Sequence, residues 1–163
     1  MNVVIYTSSK SVKGNIVIDY LVKNKFFTEN YSVSIIIDVE DKDFIKKFSS
    51  KFNIYLDKGE MPENLTNIDY IVSLGWGKVL KKNIILNANR AAINCHSSIL
   101  PDYKGSSVYH HYWANCEDFS GATIHFITDK LDSGNIIAQS VFKLNFFDTP
   151  NSILLRASEI TGP

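Results

Sequence analysis

Asn67-Ile68-Asp69-Tyr70-Ile71-Val72-Ser73-Leu74-Gly75 is an apolar run of strand length that stops on a glycine. A short helix is expected next, through Val79 and Leu80, and then a second apolar strand, Ala91 to Cys95. The same alternation extends toward the N-terminus. Asn2 to Thr7 reads as a strand and Ser8 to Gly14 as a loop, and Ile16, Ile18, Leu21 and Val22 recur at helical spacing. Tyr31 to Val39 is a strand, Asp41 to Phe48 a helix and Asn53 to Leu56 a short strand. Toward the C-terminus, Ser106 to Asn115 reads as a helix, and Gly121 to Thr128 and Asn135 to Leu144 as two strands joined by a short turn. A last helix opens at Pro150, with Asp148 or Thr149 as its N-cap. Strands alternating with helices predict one α/β domain over residues 1–163, doubly wound around a mostly parallel sheet. The short turn adds a C-terminal antiparallel hairpin. The sequence stops inside or just after the last helix, so a further segment is expected beyond Pro163.

The 163 residues suffice for one domain with a real core. Lys+Arg and Asp+Glu are both 17, so there is no basic excess to grip a phosphate backbone, and nucleic acid is not the expected partner. The longest apolar runs, such as Ile35-Ile36-Ile37, are too short to cross a bilayer, so no membrane is expected either. The start has no basic segment followed by a long apolar stretch, as a signal peptide would. Two cysteines, Cys95 and Cys116, fit a reducing, cytoplasmic setting.

The chemistry concentrates in Ala91-Ala-Ile-Asn94-Cys-His96-Ser-Ser-Ile-Leu-Pro101-Asp-Tyr-Lys-Gly105. Asn94 and His96 are two apart at the carboxyl end of a strand, so they share one face. Open α/β sheets bind ligands outside those ends. An amide and an imidazole can therefore point together into a crevice; a turn cap and a structural histidine are the alternative. Cys95 faces the other way and reads as a small buried residue, not a nucleophile. In Asp132-Ser133-Gly134 the aspartate taken alone is a turn former. His110 and His111 diverge on a helix, His125 lies on a strand, and no metal-binding spacing is present, so no metal is expected. Tyr109, Tyr112 and Trp113 read as a core-facing stripe. Lys46-Lys47 and Lys81-Lys82 read as solvated faces.

Asn94-x-His96 with Leu100-Pro101, followed by Asp129-x-Leu131-Asp132-x-Gly134, resembles the folate-dependent formyltransferase family from about Ile68 onward. The resemblance implies the Rossmann-like formyltransferase fold, with Asn94, His96 and Asp132 as catalytic residues. It implies 10-formyltetrahydrofolate as cosubstrate, lined by Trp76, Gly77, Lys78, Val79 and Leu80 and by Thr128, Asp129, Lys130 and Leu131. In the implied chemistry a neutral amine attacks the formyl carbon. Asn94 and a protonated His96 donate to the developing oxyanion, each contributing about 3–4 kcal/mol. Asp132 is expected to raise the His96 pKa. The first loop carries the candidate substrate contacts Ser9, Lys10, Gly14 and Asn15. It lacks the earlier glycines of relatives that hold a phosphoribosyl substrate, although Lys10, Lys13 and helix-start N–H groups still suit a phosphate. The expected acceptor is a small-molecule primary amine, with a nucleotide-linked amino sugar ahead of phosphoribosylglycinamide. A hydrolase acting on the same folate and a non-catalytic folate-binding relative are the alternatives, and a homodimer is the assembly left open.

Overall fold

The computed structural model describes residues 1–161. Seven strands form one sheet: β1 (Asn2–Thr7), β2 (Ser32–Ile37), β3 (Asn53–Leu56), β4 (Tyr70–Leu74), β5 (Ala91–His96), β6 (Phe119–Phe126) and β7 (Ile136–Lys143). Their spatial order is β3-β2-β1-β4-β5-β6-β7. β1 to β5 are mutually parallel, while β6 runs antiparallel to both of its neighbours, β5 and β7. This is the expected doubly wound sheet with its C-terminal hairpin. The helices are α1 (Val12–Lys23), α2 (Lys25–Asn30), α3 (Lys42–Phe48), α4 (Lys82–Ile85), α5 (Val108–Ala114) and α6 (Pro150–Glu159).

Side-chain alternation along β1 divides the core. Val3 and Ile5 join Ile35, Ile37, Val17, Ile18, Phe44 and Phe48 on the α1 and α3 side. Val4 and Tyr6 join Ile36, Ile71, Leu80 and Ile84 on the opposite face. Both faces of the central strands are thus covered, as a parallel sheet requires. A third cluster, Val108, Tyr112, Leu144 and Ile153, seats α5 and α6. Thr149 is the N-cap of α6, with a capping box closed by Ser152.

Three expectations change. The helix expected through Val79 and Leu80 begins instead at Lys82. Val79 is 77% exposed while Leu80 is buried, so the pair straddles a loop and shares no helical face. α2 was not expected, because it buries none of its residues and so carries no apolar stripe. The aromatic stripe of α5 is incomplete: Tyr112 is buried, but Trp113 is 53% exposed. Lys46, Lys47, Lys81 and Lys82 are exposed as read. Among the described residues no helix is long and apolar enough to cross a membrane.

Candidate active site

β1, β4 and β5 end side by side on one edge of the sheet, and the winding direction reverses between β1 and β4. Thr7 Oγ1 donates to the Leu74 carbonyl at 2.7 Å and ties the two ends together. Gly75 then turns the chain out at φ +61, and a Cβ there would meet Ser11 Oγ at 2.1 Å. Only glycine allows this close approach to the start of α1. Outside the ends lies a crevice of about 680 Å³, where a switch-point fold places its ligand.

Asn94 and His96 both line this crevice, together with Asp132 from the loop after β6. Asn94 Nδ2 donates to Asp132 Oδ1 at 3.3 Å, and the Gly105 N–H donates to Oδ2 at 2.8 Å. His96 Nδ1 stands 3.6 Å from the same Oδ2. His96 Nε2 is 2.8 Å from the Tyr103 carbonyl. A carbonyl only accepts, which assigns the proton to Nε2 and leaves Nδ1 as the nitrogen able to take one up. Cys95 belongs to the α1-side core as expected, and burial pushes its thiol up to about 11. It is no thiolate nucleophile at neutral pH.

Burial pushes the Asp132 carboxyl up. Hydrogen bonding to His125 and the Gly105 N–H, with the charges of His96 and His125, outweighs this and holds it at about 2. For His96 the expectation reverses. Asp132 and the Tyr103 carbonyl do raise its pKa, but burial is the larger effect and the net shift is downward. His96 therefore rests neutral, as a proton acceptor rather than a standing imidazolium donor.

His125, which the sequence marks only as a strand histidine, also belongs to the site. β5 and β6 pair with Asn94 opposite His125. His125 Nε2 lies 3.1 Å from Asn94 Nδ2 and 3.5 Å from Asp132 Oδ1, while Nδ1 faces the Phe126 carbonyl at 2.9 Å. The imidazole thereby braces both the amide and the carboxylate. Its one sequence signal is a histidine on a strand, which gains meaning only with the β5–β6 register.

The stretches Trp76–Leu80 and Thr128–Leu131 both line the crevice. Trp76 packs edge-on against Tyr6 at 5.3 Å, and Lys78 pairs with Asp57 at 3.2 Å. Val79 and the 59% exposed Leu131 leave apolar surface in water at its rim, which suits a flat, partly apolar ligand. Of the first-loop residues, Lys10 lines the crevice. The other three are engaged by the protein itself: the Ser9 N–H donates to Asp38 of the loop after β2, Asn15 Nδ2 donates to the Ser9 and Ser11 carbonyls, and the Gly14 N–H is held by Ser11 Oγ. Among the described residues no cluster of His, Cys, Asp or Glu is arranged to hold a metal ion.

Fold and site together define a doubly wound α/β protein with an amide, an imidazole and a carboxylate gathered at its switch-point crevice. The formyl transferase family model matches residues 42–161, and the chain belongs to that family. Methionyl-tRNA formyltransferase of Mycoplasmopsis pulmonis is 28% identical over 127 residues, 72% of this chain and 43% of the relative. The Staphylococcus aureus (strain Newman) enzyme of the same name is 33% identical over 108 residues, 61% of this chain and 35% of its own length. The chain thus spans less than half of these curated relatives. Among solved structures, glycinamide ribonucleotide transformylase 1 from Symbiobacterium toebii superposes with a TM-score of 0.78 at 16% identity, covering 99% of this chain and 84% of that one. A sugar N-formyltransferase from Shewanella sp. gives 0.74 at 17% identity, with 98% and 64% covered. Both share the fold.

Proposed function

We propose that this protein transfers a formyl group from 10-formyltetrahydrofolate to a primary amine on a small substrate. The observation that carries this reading is the convergence of Asn94, His96 and Asp132 in one crevice, in a chain of the formyl transferase family. The folate would lie between Trp76–Leu80 and Thr128–Leu131 and present an electrophilic formyl carbon to the triad. Asn94, whose Nδ2 donates to Asp132 Oδ1 at 3.3 Å, would redirect that N–H toward oxygen charge that develops there, and such donation is the larger contribution these sites make. His96 Nδ1 is placed to take the proton that the amine sheds. Asp132, ionised and 3.6 Å away, favours that protonated state as it forms. The proton then passes to the folate nitrogen that leaves, so the products are the formamide and tetrahydrofolate, with no net proton change.

The acceptor we favour is an amino sugar carried on a nucleotide. Equal numbers of acidic and basic residues speak against a tRNA acceptor. A first loop whose Gly14 and Asn15 are occupied within the loop speaks against a phosphoribosyl one. The protein is cytoplasmic on this reading.

Folate placement is tested by tryptophan emission. Trp76 lines the crevice, whereas Trp113 is an exposed residue of α5 that does not line it. Titration with a stable 10-formyltetrahydrofolate analogue is expected to quench most of the Trp76 emission, and Trp76→Phe is expected to abolish the change. Equal quenching in both proteins would place the folate elsewhere.

A further inference from the structure

Lys13 is the residue of this crevice that the mechanism above leaves unused. It lies in the first turn of α1, is 5% exposed, and lines the crevice. Its Nζ donates to the Cys95 carbonyl at 2.6 Å, on the peptide that joins Cys95 to His96. An ammonium has three donors. Among the described residues this is its one hydrogen bond, and no carboxylate lies within ion-pair distance. Lysine is almost never fully buried unless paired, because desolvating the charge is unfavourable. A methionine would fill the same space without that cost. The placement is therefore unexplained by packing alone.

Several charged and titratable groups surround it. Asp132 and the Cys95 thiol are close enough to favour its charged form, while burial outweighs them and lowers it to about 8. His96 on β5 feels its positive charge as a downward push. The loop after β2 brings Asp38 to the same crevice, the loop before α1 brings Lys10, and α6 brings the uncharged Leu154.

Resting on the formyl-transfer reading, we propose that Lys13 is a positioning residue of the site. Its ammonium, anchored on the Cys95 carbonyl, fixes the end of β5 that carries Asn94 and His96. Its charge adds to burial, the larger effect, in keeping His96 neutral and proton-accepting. The division of roles is physical. Asp132 favours the imidazolium once a proton has arrived, while burial, assisted by Lys13, keeps the imidazole empty until then.

The test compares wild type with Lys13→Met and Lys13→Arg, each checked for folding by thermal unfolding. His96 is titrated by NMR of its imidazole, assigned with His96→Gln, and the pH profile of kcat/KM is recorded in parallel. Loss of the charge in Lys13→Met is expected to raise the His96 pKa by at least about half a unit. It should also lower kcat/KM near neutral pH by about tenfold, in line with a misplaced site. Lys13→Arg keeps the charge and is expected to leave His96 near its wild-type value. In wild type, kcat/KM should rise through a pH below the ordinary imidazole value and fall again near pH 8. That basic limb is expected to vanish in Lys13→Arg, whose guanidinium does not deprotonate.

A His96 titration unmoved in folded Lys13→Met would overturn the proposal and leave Lys13 a structural residue. Failure of both variants to fold would do the same. Absence of turnover in wild type would instead overturn the formyl-transfer reading, and the NMR titration would still decide the role of Lys13.

Discussion

Asp132→Asn is expected to lower kcat/KM for formyl transfer by roughly 10²–10⁴-fold, the range of positioned proton-transfer groups, while the protein stays folded. Asparagine is the informative replacement for two reasons. It matches the size of aspartate, and it tolerates the left-handed backbone at this position, φ +45. Alanine would add backbone strain to the loss of charge. The carboxylate accepts from Asn94 and Gly105, stands 3.5 Å from His125 Nε2 and faces His96 Nδ1. The amide keeps one acceptor oxygen but removes the negative charge that stabilises protonated His96. The defect should therefore fall on turnover more than on folate affinity. It is read from tetrahydrofolate release beside an equilibrium folate titration. An Asp132→Asn protein with wild-type turnover would remove the carboxylate from the mechanism.

Gly134→Ala tests the same loop through sterics. A Cβ on Gly134 would lie 1.8 Å from the Phe126 carbonyl oxygen and 2.7 Å from its carbon. Both are backbone atoms at the end of β6, beside His125, so they cannot swing aside as a side chain would. Relief requires the Asp132–Gly134 turn to shift. Forced overpacking costs about 1–3 kcal/mol, which for a domain of this size lowers Tm by roughly 2–12 °C. A displacement of Asp132 on the order of 1 Å is expected to cost about 10²-fold in turnover. Ser133→Ala, one residue away and exposed, is the control and should stay within about 0.5 kcal/mol of wild type. If Gly134→Ala matched wild type in both Tm and turnover, the close contact with Phe126 would not exist in solution.

These two experiments rest on features that differ in how far the sequence showed them. Asn94 and His96 were legible because they stand two apart at a strand end, a spacing that decides their common face whatever the neighbours are. Asp132 alone looked like a turn aspartate, and its role came from the motif shared with a family. His125 escaped because its role depends on which strand lies beside β6, and cross-strand register leaves no mark within a single strand. The downward shift of His96 escaped for a related reason. Sequence supplies the charge of Asp132 but not the depth of burial, and here burial is the larger effect. The strands were read well because buried central strands are continuous apolar runs. Val79 and Leu80 misled because adjacent apolar residues at a loop can face opposite ways.

Formyl transfer from a folate to an amine in this crevice is open to direct test. The most direct measurement follows tetrahydrofolate, formate and formamide product from the intact protein supplied with 10-formyltetrahydrofolate. A panel of nucleotide-linked amino sugars, phosphoribosylglycinamide and methionyl-tRNA is added one at a time. Tetrahydrofolate release is expected to require one amino sugar and to equal the formamide formed, without formate. Formate release in the absence of any amine would contradict it and make the protein a hydrolase.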